Sequence, residues 1–207
     1  SAVPIAINLD HGLQYMHAIA CIRAHFTSIM VDRSALPYER NAAEVKELVK
    51  IAHSVGVSVE AELGHVGQGK RYDVDGKNNL TDPDEAARFV EETGIDCLAI
   101  AIGTAHGAYS GTPYIDFERL AQIREKVSIP LVMHGGSGTG DENLYKAARS
   151  GISKVNLYTD LSTAGMEALR AKGIETNDIS DVEIIMYKAF REKLEFYMEL
   201  LGSKGQA

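Results

Sequence analysis

Short, near-continuously apolar runs alternate along the chain with longer stretches of helical period. The runs fall at about residues 4–9, 28–32, 58–63, 97–102, 130–133 and 154–157. Each reads as a strand buried on both faces, the habit of parallel sheets. Between them Ala42, Val45, Leu48, Val49 and Ala52 mark one face of a helix that Gly56 can terminate, and Phe117, Leu120, Ile123 and Val127 mark another. Asp82-Pro83-Asp84-Glu85 combines an N-cap, a proline at the first helical position and an early Glu, and predicts a helix ending near Gly94. Ser180-Asp181-Val182-Glu183 repeats that logic and predicts a last helix running to about Leu201.

Repeating strand and helix units fit either a doubly wound sheet or a (β/α)8 barrel, and the polar residues decide between them. Nearly every strand ends in chemistry: Asp10-His11, Asp32, Gly64-His65, Gly103-Thr104-Ala105-His106, His134 and Tyr158-Thr159-Asp160. A barrel gathers all these ends at one mouth, whereas an open sheet gathers ligands at a switch point. The expectation is therefore a single α/β domain over residues 1–207, a TIM barrel with only six of its eight units in this chain. Since the first strand stands at the very start, the two absent units, roughly 65 residues, are placed before it. The last two strands then become the seventh and eighth, whose loops frequently bind phosphate. Those loops carry Gly135-Gly136-Ser137-Gly138 and Asn156-Leu157-Tyr158-Thr159, and glycines let backbone N–H groups approach an anion closely.

Composition narrows the partners. With 29 acidic against 21 basic residues the net charge is −8, and there is no basic run, so nucleic acid and anionic membranes are poor candidates. No apolar stretch is long enough to span a bilayer and no signal-type segment opens the chain, which fits a cytoplasmic protein. Cys21 and Cys97 form no CxxC pair, so any metal must be held by histidines and carboxylates. His11, His106 and His134 each stand just past a strand. Any one alone is commonly a strand cap, but three imidazoles on one rim, with a position left open, describe a catalytic zinc. His17, His25 and His53 lie in helical stretches and read as ordinary polar residues. Asp10, beside His11, is a candidate general acid or base, or else a carboxylate that orients a His ligand. Strand alternation puts Glu60 and Glu62 on one side, either in the barrel interior or, with Asp32, at a second metal position.

These residues resemble the class II, zinc-dependent ketose-bisphosphate aldolases, which include fructose- and tagatose-1,6-bisphosphate aldolases. The resemblance is carried by Asn8-Leu9-Asp10-His11-Gly12, residues 59–64 (VEAELG), residues 101–107 (AIGTAHG), residues 133–138 (MHGGSG) and residues 154–160 (KVNLYTD). It implies that His11, His106 and His134 bind Zn2+, that Asp10 is the catalytic acid and base, and that Gly107, Gly135, Gly136, Ser137, Asn156, Leu157, Tyr158 and Thr159 hold a dihydroxyacetone phosphate moiety. It further implies a monovalent cation (Na+ or K+) near the glycine loop, a small phosphorylated sugar as partner, and a homodimer or homotetramer. The metal route needs no Schiff-base lysine, and none is expected at a strand end. Three positions depart from the family pattern. Asn8 replaces a usual His, and Ser162 stands where many relatives carry a basic residue. The loop that normally presents a proton-transferring Glu reads Gly67-Gln68-Gly69-Lys70-Arg71-Tyr72-Asp73-Val74-Asp75, where Asp73 or Asp75 is left to substitute and Lys70 and Arg71 to meet an anionic substrate end. Other ketoses, a barrel metallohydrolase and an inactive metal-binding assembly subunit remain as alternatives.

Overall fold

The computed structural model describes residues 3–68, 80–107, 109, 113–173, 175 and 178–206. Six parallel strands form one curled sheet: β1 (Asn8–Gly12), β2 (Ser28–Val31), β3 (Ser58–Leu63), β5 (Cys97–Ile100), β7 (Leu131–Met133) and β8 (Ile152–Val155). Their order in the sheet is their order in the chain, with no reversal. A doubly wound sheet reverses at a switch point, whereas a barrel winds in one sense only, so the topology is that of a TIM barrel. Helices fill the connections: α1 (Tyr15–Arg23), α2 (Tyr38–His53), α3 (Pro83–Thr93), α4 (Phe117–Lys126), α5 (Asp141–Arg149) and α6 (Thr159–Lys172), with α7 (Ile179–Leu200) packed on α6. No described helix is long and apolar enough to cross a membrane.

Each strand divides its side chains between two layers, which is why the sequence shows unbroken apolar runs. Ile29, Val31, Val59, Ala61, Leu63, Leu98, Ile100, Leu131 and Met133 face outward into the large core beneath the helices. Met30, Ala99 and Val132 face inward, with Cys97 beside them. Glu60, Glu62, Lys154 and His134 continue this inward set toward the mouth, where their side chains meet one another or the site.

Several element ends differ from the sequence expectation. The first strand begins at Asn8 rather than at residue 4, its ladder with β2 starting at the Asn8–Ser28 pair. The last strand ends at Val155, two residues early, which leaves residues 156–158 as the turn into α6. That shift puts Lys154 near a strand end, against the expectation that no lysine stands there. Asp178, not Ser180, caps α7: its carboxylate accepts from the Ser180 N–H at 2.9 Å. The Asp82 cap holds as expected, accepting from the N–H groups of Asp84 and Glu85 at 2.9 and 3.0 Å. Two short strands carry no apolar signal in the sequence: β4 (Gly67–Gln68) and β6 (Ala105–His106) pair in parallel above the main sheet.

Candidate metal centre and active site

At the end of β1 the ladder slips. Leu9 pairs with Ile29 and Gly12 with Val31, three steps on one strand against two on the other. The extra residue is a bulge, and bulges re-aim side chains. Asp10 and His11, which a regular strand would send to opposite faces, both reach the mouth. Asp10 Oδ1 lies 3.8 Å from His11 Nε2 and 3.9 Å from His134 Nδ1.

The three strand-end histidines converge. His11, His106 and His134 offer nitrogens that all lie within 4.8 Å of one another, and their ring centroids are 4.7, 4.7 and 5.7 Å apart. The closest pair, His134 Nδ1 and His11 Nε2, is 3.1 Å apart. Two nitrogens bound to one tetrahedral zinc at about 2.0–2.1 Å stand about 3.4 Å apart, so the spacing fits a shared ion. His106 Nε2 is buried without a hydrogen-bond partner. An orphaned buried nitrogen is costly unless something else occupies its lone pair, and a metal ion does so.

Carboxylates orient the other two rings. Asp32 Oδ2 is 2.7 Å from His11 Nδ1, while its second oxygen accepts from the Ser34 N–H and hydroxyl at 3.0 and 2.8 Å. Glu60 Oε1 is 2.7 Å from His134 Nε2. Each bond leaves the ring's opposite nitrogen turned to the centre, the arrangement that fixes a ligand's tautomer. The bond to Asp32 raises the proton affinity of His11. The same bond, with those from Ser34, overcomes burial and holds the Asp32 carboxyl well below the usual carboxylate range. Burial and the neighbouring histidines push His106 down to about 4, which keeps it neutral and able to ligate at neutral pH. Burial and the charge of Asp32 raise Glu62, whose Oε2 is unpartnered. His11, Asp32 and Glu62 also bring donor atoms within 4.8 Å of one another.

Sequence reasoning missed the chain of contacts that runs through Lys154. Its Nζ donates to Glu60 Oε2 at 2.9 Å and to Asn156 Oδ1 at 2.6 Å. With its oxygen so engaged, Asn156 turns its NH2 group toward Asp10 Oδ1, at 3.1 Å. No residue pattern hints at this link: Ile152 faces the outer core, and Lys154, two residues on, faces inward only because the β7–β8 register slips between them.

Beside the histidines lies a cavity of about 660 Å³ lined by Asp10, His106, Gly107, Gly135, Ser137 and residues 155–159. Gly135 packs directly on the Ala105 backbone: its φ is +65°, and a Cβ there would stand 2.3 Å from the Ala105 carbonyl oxygen. Tyr109 ties the same two segments, accepting from the Ala105 N–H at 2.6 Å and donating to the Gly135 carbonyl at 2.9 Å. Ser137 Oγ accepts from the N–H groups of Tyr158 and Asp160, both at 3.2 Å, which leaves its hydrogen for a ligand. The Gly136 N–H is engaged by the Asn156 carbonyl at 3.1 Å, so Gly136 shapes the loop. Leu157, Tyr158 and Thr159 border the cavity at the start of α6. The loop residues Lys70, Arg71, Asp73 and Asp75 lie outside the described residues.

Comparison with known proteins agrees with this geometry. The family "Fructose-bisphosphate aldolase class-II" matches residues 1–206. The chain is 41% identical to the fructose-bisphosphate aldolase of Geobacillus stearothermophilus, over 99% of this chain and 72% of that protein. It is 40% identical to the protein YdjI of Escherichia coli K12, over 100% of this chain and 74% of that one. The crystal structure of the YdjI aldolase superposes with a TM-score of 0.87 at 37% identity, covering 99% of this chain and 72% of that chain. With a family match over nearly its whole length, the chain belongs to the class II fructose-bisphosphate aldolases.

Proposed function

We propose that the protein is a zinc-dependent aldolase that reversibly cleaves a phosphorylated ketose, of the fructose- or tagatose-1,6-bisphosphate kind, to dihydroxyacetone phosphate and an aldehyde. The observation that carries this reading is the buried, unpartnered Nε2 of His106 beside two rings whose outer nitrogens are already held by Asp32 and Glu60. His11, His106 and His134 would hold the ion, which supplies a Lewis acid for the ketose carbonyl and for the charge that develops as the C3–C4 bond breaks. Asp10 takes the C4 hydroxyl proton and, in the condensation direction, returns it to the aldehyde oxygen. Its Oδ1 is held by Asn156, and its side chain is 60% exposed, so the carboxylate is open to substrate. The Ser137 hydroxyl, Gly107 and the start of α6 receive the phosphate, with a monovalent cation beside the glycine loop as accessory.

The test is turnover of a ketose 1,6-bisphosphate panel by the zinc-loaded protein. Release of dihydroxyacetone phosphate supports the proposal, whereas hydrolytic products alone, or no products, overturn it. His106→Ala is expected to weaken zinc binding by at least about 100-fold and to abolish activity with it. Asp10→Ala should keep the metal and lose C–C cleavage. Metal content read by atomic absorption separates the two outcomes.

A further inference from the structure

His11 is the strained point of the site. Its φ of +49° lies in the left-handed region, and among the described non-glycine residues only His25 shares a positive φ. A non-glycine residue there is strained and persists only when its surroundings over-determine it. The His11 carbonyl turns back to accept from the Leu13 N–H at 2.8 Å, which tightens the bulge further. The next residue, Gly12, presses on β2 so closely that a Cβ would stand 2.4 Å from the Met30 carbonyl oxygen. The Gly12 carbonyl is fixed by a side chain from the neighbouring strand's end. Arg33 is only 6% exposed, and its Nη1 donates to Gly12 O at 2.9 Å and to Asp32 O at 2.8 Å. Its Nε donates to Glu44 of α2 at 2.7 Å. One planar guanidinium thus bridges the backbone next to the ligand His11, the backbone of that ligand's carboxylate partner, and a helix.

We infer that Arg33 is a positioning residue that clamps the β1 bulge, and so sets the metal affinity of the centre without touching the ion or the substrate. One nitrogen, Nη1, joins the two strand ends on which the His11–Asp32 pair depends while Nε anchors the same rigid plane on Glu44, and an apolar side chain can donate to neither carbonyl. Without it, the left-handed backbone at His11 loses the contact that holds its exit, and the ring's nitrogen leaves the position it shares with His134.

The inference rests on the metal-centre reading, and the experiment separates the two. Cobalt(II) serves as the probe, titrated against a competing chelator and followed by its visible absorption, on the wild-type protein, Arg33→Met, Arg33→Lys and a control, Leu120→Ala. Leu120 is a fully buried residue of α4, a helix that packs chiefly on α3, so its loss costs stability away from β1 and β2. Arg33→Met should bind cobalt about 10–100-fold more weakly with a shifted visible band, while still unfolding cooperatively. Leu120→Ala should melt earlier yet bind cobalt within about twofold of wild type. Arg33→Lys, which keeps the charge but not the planar link between the two carbonyls and Glu44, should lose about 3–10-fold. If Arg33→Met does not fold, Arg33→Lys and Glu44→Gln carry the same comparison. A wild-type affinity and band in the folded Arg33 variants overturns the positioning role alone. Failure of the wild-type protein to bind cobalt overturns the metal centre and the positioning role together.

Discussion

Asp32 and His11, 2.7 Å apart, show how one pair can serve both stability and function. The Asp32 carboxyl is held below its ordinary value, so its stabilising effect is present above about pH 4 and is lost as the pH falls through its folded value. His11 is raised above 6.5, so its contribution is present below about pH 6.5 and fades as the pH rises through its folded value. For the metal-free protein the two effects overlap between about pH 4 and 6.5. Asp32→Asn is therefore expected to cost on the order of 2 kcal/mol within that window, and less on either side of it. Thermal melts of both proteins across the pH range check this, and a deficit independent of pH would contradict it. Asp10, His11, His106 and His134 were legible as candidates because each stands where an apolar run stops. Lys154 was not, because the sequence pattern placed its strand two residues too late and so put the lysine at the strand's beginning.

Local elements were legible where a single short motif specifies them. Asp82-Pro83 opens α3 as expected because the cap, the fixed φ of proline and the carboxylate are all local devices. The bulge at residues 10–11 and the paired short strands β4 and β6 were not, because pairing between segments decides them and no residue pattern marks them. The glycine loop after β7 lies between these cases. Its glycines announce a tight turn, but only the fold shows that Gly135 lies against the Ala105 backbone. Gly135→Ala should therefore cost at least about 2 kcal/mol, from a forced left-handed φ and a backbone collision, and should raise KM for a phosphorylated ketose. Urea unfolding and steady-state kinetics report the two effects. A variant of wild-type stability would mean that the loop and the Ala105 segment separate freely.

At the scale of the whole molecule, the inner layer exists only because the sheet curls. Cys97 lies in that layer, 3.8 Å from Glu60, and burial pushes its thiol up to about 12. Roughly one molecule in ten thousand then carries the thiolate at pH 8, so alkylation of the native protein should leave Cys97 unmodified, while the unfolded chain reacts there. Mass spectrometry of the labelled peptides decides the matter, and stoichiometric native labelling would show the interior to be open. The amino-acid order alone determined the parallel α/β class, the two-layer burial of each strand and the list of reactive strand ends. Hydrophobic period, caps and turn glycines act within a few residues and leave their mark in the sequence. Only the tertiary structure decided which of those groups meet: His134 with His11 across 123 positions, Lys154 with Glu60 across 94, and Asp10 with Asn156 across 146. Such meetings depend on strand register and on the curl that brings distant strand ends to one mouth, and these are properties of the assembled sheet that no segment carries by itself.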